Sequence, residues 1–289
     1  MPATAQDTAR QHLPDTTQIN HRPKRAPLKL LHAEPLYIDL IRDLGAHKGE
    51  HEWNIGLGLT DNFKYDAYTA LIEYEWAPIN RLGLEVELPF TFYYRTPANR
   101  TDPAPGSKLN SLKLAAQYTV LVHPKTQTSA ALGYLHEFEL PPFNQYSKNN
   151  WLEGHLLSPF AIVAKRWGQQ IHSLLYAGPL IHHSLNPQGK TTTSAQYNLS
   201  LHYMIPGTRN FIGIETNMLQ HKYGMDAVLR PQMRVGLMEN LMVGIVAGIP
   251  LKRESERLSS FLRLIYEPRH RIPQNLDARK STQKGRRHG

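Results

Sequence analysis

Residues 65–92 read YDAYTALIEYEWAPINRLGLEVELPFTF, and the alternation within them decides the fold. Tyr68, Ala70, Ile72, Tyr74 and Trp76 take one set of alternate positions, with Thr69, Leu71, Glu73 and Glu75 between them. Past Ala77-Pro78-Ile79-Asn80-Arg81 the alternation resumes: Leu82, Leu84, Val86, Leu88, Phe90 and Phe92 in one row, Glu85 and Glu87 in the other. A period of two sends neighbouring side chains to opposite faces of a strand. The stretch is therefore a hairpin with one apolar face and one face of carboxylates. Each arm runs about a dozen residues, roughly twice the usual strand of a soluble protein. A tilted strand crosses a bilayer in about 9–11 residues, so the hairpin suits lipid on one side and water on the other.

The same reading, carried outward from His51, gives twelve strands: 51–60, 66–77, 81–94, 109–123, 127–140, 155–167, 170–184, 193–205, 209–219, 226–238, 241–250 and 258–267. Connections after the second, fourth, sixth, eighth and tenth strands are tight, whereas residues 95–108 and 141–154 form long polar loops. An even strand count with short turns at one rim and longer loops at the other is the pattern of bacterial outer-membrane barrels. One row of most strands lacks charge: Leu112, Leu114, Ala116, Tyr118, Val120 and Val122 in the fourth, Tyr197, Leu199, Leu201 and Tyr203 in the eighth, Val243, Ile245, Ala247 and Ile249 in the eleventh. A lysine or arginine there would cost roughly 2–4 kcal/mol at mid-membrane. Trp53, Trp76, Tyr203 and Tyr266 fall where interfacial aromatics belong. Within 155–184 the two faces cannot be told apart by pattern, because Pro159 and Pro179 interrupt the strands and Ala161, Ile162 and Val163 are all apolar. Unpaired sheet edges cannot face hydrocarbon, so the predicted fold is all-β, a closed antiparallel transmembrane barrel. Eight strands enclose only side chains and sixteen leave a channel; twelve imply a narrow pore.

Composition narrows the alternatives. No apolar run approaches the roughly 18 residues of a membrane-spanning helix, and mean hydropathy is −0.46. The absence of cysteine removes disulfides and thiolate metal sites. The net charge of +9 is concentrated in residues 268–289, where seven basic side chains stand against Asp277. The basic balance is thus a property of a tail expected to be disordered, not of a nucleic-acid-binding surface. Residues 1–26 are polar, proline-dotted and likewise expected to be disordered. Ala3-Thr4-Ala5 before Gln6-Asp7 has the small-x-small form of a cleavage site, so an export signal upstream of Met1 is expected; an in-frame stop codon directly before Met1 in the genomic DNA would sink that idea.

Between tail and barrel, residues 27–50 form a segment of their own. Pro35 suits a first helical position, Tyr37, Leu40, Ile41 and Leu44 recur at helical spacing, and Gly45 can end the turn. A short amphipathic helix over about 35–44 is predicted, docked against the barrel rim or plugging the lumen, since it is too short to stand alone. His32-Ala33-Glu34-Pro35-Leu36-Tyr37-Ile38-Asp39 spells HAEPLYID. That run resembles the signature of the HAEPLYID family of bacterial envelope proteins. Leu40 to Gly45, Lys48-Gly49-Glu50, Glu52-Trp53-Asn54 and the 73–90 hairpin are similar to the same family, so the resemblance covers about 32–92. It implies an outer-membrane barrel and carries no particular substrate.

The rows opposite the apolar faces supply the candidate site. Glu73, Glu75, Glu85, Glu87, Lys113 and Glu215, with Arg230, Arg234 and Arg263, either set an acidic wall against a basic one, giving a transverse field for solute selection, or pair with one another and fill the interior. His182 and His183 are adjacent and point to opposite faces, so no metal is expected, and no cofactor. Ser200 and His202 share a face, but no GxSxG, HExxH, P-loop or dinucleotide fingerprint occurs. The leading expectation is a porin-like channel for small polar or charged solutes, with no enzymatic activity and no nucleic-acid partner. A non-conducting structural or surface-binding barrel is the alternative, a lipid-modifying enzyme the second. The bilayer and its outer-membrane lipids are the expected surroundings.

Overall fold

The computed structural model of the chain describes residues 27–38, 40–96, 103–186, 189–252 and 256–268. The segments 1–26 and 269–289, on which the two expectations of disorder fall, lie outside the described residues. Strands run β1 (His51–Asn62), β2 (Tyr65–Ile79), β3 (Leu82–Arg95), β4 (Lys108–Leu109), β5 (Ser111–His123), β6 (Thr128–Glu139) and β7 (Gly154–Trp167). They continue with β8 (Ile171–Ser184), β9 (Thr191–Met204), β10 (Phe211–His221), β11 (Gly224–Met238), β12 (Leu241–Pro250) and β13 (Glu256–Tyr266). β4 is a two-residue piece that joins β3 ahead of β5, so twelve long strands make the wall.

Each of the twelve long strands pairs antiparallel with the next, and the ring is closed by β1 on β13, from Trp53 opposite Tyr266 to Asn62 opposite Glu256. Closure leaves no free edge in hydrocarbon. The founding hairpin has its expected register, with Glu73 opposite Glu87 and Glu75 opposite Glu85. Outward rows are aliphatic and aromatic all round: Ile55, Ile72, Leu114, Leu132, Val163, Leu175, Leu199, Ile214, Met233, Ile245 and Leu262 are all exposed. Trp53, Tyr74 and Trp76 form an aromatic patch near the short-turn rim, with ring centroids 4.5 and 5.5 Å apart.

Two expectations change. Val122 leaves the lipid row: the register slips between Thr119 and Leu121, so Leu121 turns outward and Val122 turns inward to within 3.4 Å of where a Cβ on Gly45 would stand. The helix over 35–44 does not form among the described residues, which make only bends and turns. Its amide hydrogens are taken by the barrel wall: Leu36 donates to Gln232, Ile38 to Glu215 and Arg42 to Glu75. A backbone N–H committed to a wall side chain is lost to the i to i−4 ladder that a helix needs.

Candidate functional site

Residues 28–50 touch the inner wall on every side. Ala33 donates to His172 Nδ1 on β8 (2.7 Å) and Leu36 to Gln232 Oε1 on β11 (2.8 Å). Gly45 donates to Thr119 Oγ1 on β5 (2.8 Å), and His32 Nε2 meets Ser129 Oγ on β6 (2.9 Å). The segment therefore runs through the interior. At the short-turn end, Gly49 and Arg81 donate backbone hydrogen bonds to Ala77 and Ala46.

Its apolar residues divide between two clusters. Leu40, Ile41 and Leu44 pack with Ala115, Ala131, Phe160, Ile162, Ala164, Leu174 and Tyr176. Ala33 and Leu36 pack with Phe211, Met242, Val246, Phe261 and Ile265. Two inner-wall glycines permit this fit. A Cβ on Gly83 would stand 1.9 Å from the Ile41 carbonyl oxygen, and one on Gly244 would fall 2.6 Å from a Leu36 methyl.

Arg42 is the polar centre. Its N–H donates to Glu75 on β2, its carbonyl accepts from Gln117 Nε2 on β5 (2.9 Å), and its guanidinium pairs with Glu52 on β1 (2.8 Å). This clamp holds Arg42 at φ 63°, a left-handed conformation that costs roughly 1–2 kcal/mol for a residue other than glycine. Asn54 Nδ2 then ties Glu52, Glu73 and Glu75 together at 2.8–3.2 Å.

Outside the strands, a second charged group forms around Lys29, which pairs with Asp43 and, at 2.6 Å, with Glu50. Burial alone would raise the Asp43 carboxyl, but Lys29 and a hydrogen bond with Glu34 hold it well below the usual range. Burial and the neighbouring Asp43 push Glu34 well above it. Burial, reinforced by His172 and Arg166, lowers the His32 imidazole from 6.5 to about 4.

The predicted lumen residues all face inward, and acid and base interleave. Lys113 sits 2.9 Å from Glu87 and 3.8 Å from Glu137. Arg263 reaches Glu73 at 3.5 Å. Glu215 accepts from Tyr37 and Ile38 of the segment. Arg230 lies 3.4 Å over the Tyr37 ring, and Arg234 approaches Glu34 at 3.9 Å. Glu73, Glu85 and Glu87 bring carboxylate oxygens within 4.8 Å of one another, the separation of cation ligands. Of the segment positions, Pro35, Leu40, Ile41 and Leu44 are buried and Tyr37 opens into a cavity. Ser200 and His202 are also interior, 2 and 1 % exposed, so lipid does not reach that pair.

Arg42, Glu52 and His172 are the residues that pattern reading missed. Arg42 had one usable signal, a lone cation inside the apolar run Leu40-Ile41-Arg42-Asp43-Leu44. The others are single polar residues in strands whose partners lie far off in sequence.

Two cavities flank the segment. One of about 610 Å³ at the short-turn rim is lined by Lys29, Asp43, Arg166, His172, Arg209 and Glu239 among others. The second, about 260 Å³, lies beside Tyr37, Ile38 and Ile41 and reaches Glu137 and Leu156. Those two residues stand near the long-loop ends of β6 and β7.

A closed ring of long antiparallel strands, oily outside and charged within, defines an outer-membrane-type β-barrel. Residues 28–267 match the HAEPLYID-like family, and the chain belongs to it. Among solved structures it is similar to the COG4313 outer membrane channel from Pseudomonas putida F1. The TM-score is 0.60 at 16 % identity, covering 80 % of this chain and 100 % of that one. The NanC porin is similar at TM-score 0.51 and 9 % identity, covering 75 % of this chain and 100 % of that one. At such identities the likeness is one of fold. No curated protein matches the chain significantly.

Proposed function

We propose that the protein is a narrow outer-membrane channel for small polar or charged solutes, with residues 28–50 as a plug that has to shift before solute passes. The observation that carries this reading is the way the segment is held: among the described residues no strand ladder ties it, and its backbone hangs on wall side chains at Ala33, Leu36, Ile38, Arg42 and Gly45. Cavities lie on both sides of the segment, as a plug between two rims would require. The likeness to an outer-membrane channel and to a porin agrees with it.

Planar-bilayer recording tests the proposal. The full chain is expected to give rare or small openings, and the chain without residues 27–50 steady, larger steps. A lock guards against misfolding of the deletion. The Leu36 side chain comes within 3.2 Å, at its Cγ, of a Cβ on Gly244, so Leu36→Cys with Gly244→Cys places two sulfurs within disulfide reach. Openings of that variant are expected to appear only in reductant. Glu73→Gln with Glu85→Gln is expected to shift ion preference toward anions. The two apolar clusters that grip the segment favour a second reading, a non-conducting structural or surface-binding barrel; silence of a folded, reduced and plug-deleted barrel selects it.

A further inference from the structure

We infer that the cavity of about 260 Å³ is a binding site for a small organic ammonium ion with an apolar body. This deepens the channel proposal and rests on it only for the ligand's way in.

Four carboxyl groups line the cavity, Glu73, Glu85, Glu87 and Glu137, against two cationic side chains, Lys113 and Arg263. Three of the carboxylates have partners: Glu73 has Arg263 and Asn54, Glu87 has Lys113, and Glu137 has Ser111 and Lys113. Glu85 is different. It is 6 % exposed, lines the cavity, and makes no hydrogen bond or ion pair among the described residues. It also stands directly opposite Glu75 on the neighbouring strand, an arrangement that like charges disfavour. A buried carboxylate left so, in a cluster with excess negative charge, calls for a cation from outside.

The cluster fits an ammonium group. A primary ammonium has three N–H donors, and the oxygens of Glu73, Glu85 and Glu87 gather within 4.8 Å of one another. The rest of the wall sets the remainder of the ligand. Phe160 and Tyr176 stack at 4.6 Å between centroids, and Leu135, Leu156 and Leu180 complete an apolar surface. Calcium and magnesium take six or more oxygen ligands and keep several of them as waters, and an apolar wall is poor surroundings for those waters. The volume lies just below the roughly 300–1,000 Å³ of small-molecule pockets, room for one aryl or branched alkyl group. A head held by carboxylates and a body held by stacked rings make the cavity selective for amines over both neutral aromatics and inorganic cations.

The test is calorimetric titration of 2-phenylethylammonium chloride into the detergent-solubilised full chain, with 2-phenylethanol and calcium chloride as the other titrants. Saturable one-site binding of the amine is expected, weakened at least tenfold in Glu85→Gln and severalfold in Phe160→Leu. The alcohol and calcium are expected to show no comparable binding. Heat-modifiable migration on gels confirms that each variant is folded. Equal binding of the alcohol, undiminished binding by Glu85→Gln, or calcium binding that depends on Glu85 in place of the amine would overturn the inference. Binding is read without flux, so a barrel that binds the amine and stays silent in bilayers fails only as a channel. One that conducts without binding fails only here.

Discussion

The inner wall of β1 to β3 and that of β7 and β8, farther round the ring, hold the same segment by different means. The first presents Glu52, Asn54, Glu73, Glu75, Glu85 and Glu87 and grips Arg42 with hydrogen bonds and an ion pair. The second presents Phe160, Ile162, Ala164, Leu174 and Tyr176 and packs them against Leu40, Ile41 and Leu44. Outside, both walls show the same oily row to lipid. The interior of this barrel is therefore not one environment. Its polarity on each side matches the face of the segment lying against it, and so the segment is as much a part of the core as the wall is.

Removing the polar grip has the largest expected effect. Arg42→Ala leaves Glu52 and Glu75 buried without their cation, a change that costs about 3–5 kcal/mol when one partner of a buried pair is lost. Residues 28–50 should then become open to protease in otherwise intact barrels. Leu44→Ala tests the apolar grip, since Leu44 is 2 % exposed and a buried leucine cut to alanine costs about 2–5 kcal/mol. If Arg42→Ala frees the segment and Leu44→Ala does not, the polar wall holds it alone and the comparison collapses. Gln232→Ala is gentler: it strips the acceptor from the Leu36 amide and costs about 1–3 kcal/mol, read as faster cleavage near Leu36 with the rest of the segment protected.

The two walls also explain what the sequence made plain and what it hid. The β2–β3 hairpin was readable because its faces meet lipid and a polar partner, so Leu and Glu alternate cleanly. β7 and β8 were not, because Phe160, Ile162 and Leu174 face an apolar segment while Ala161, Val163 and Leu175 face lipid, and hydrophobicity on both faces erases a period of two. The helix expected over 35–44 failed for a related reason. Leu36 packs toward β10, β12 and β13 while Leu40, Ile41 and Leu44 pack toward β5 to β8. The helical spacing was thus the imprint of two opposed apolar surfaces rather than of one stripe. Arg42 has partners on three strands, and only its contacts with Glu52, Glu75 and Gln117 reveal a clamp.

The smallest expected effect lies where the segment meets the apolar side through a polar contact. His32 bonds Ser129 on β6 and stands edge-on to His172 on β8, with ring centroids 6.3 Å apart. Docked, its imidazole is held at about 4 by burial, with His172 and Arg166 adding to the effect; undocked, it returns to 6.5. The undocked segment therefore takes up a proton that the docked one refuses as pH falls from 6.5 toward 4. Docking weakens across that window and levels off below it. Between pH 7 and 5.5 the loss amounts to about 1 kcal/mol, from the 1.36 kcal/mol that one pKa unit represents. Asp43, held below 3.8, releases its own contribution only at lower pH. Glu34, held above its usual value, works the other way and favours docking as pH falls. The His32→Gln variant keeps a partner for Ser129 and carries no titrating ring, so its difference from the natural chain isolates the histidine. Protease release of residues 28–50 should rise several-fold between pH 7 and 5.5 in the natural chain relative to His32→Gln; parallel pH profiles would show that the imidazole does not sense acid from its place between the strands.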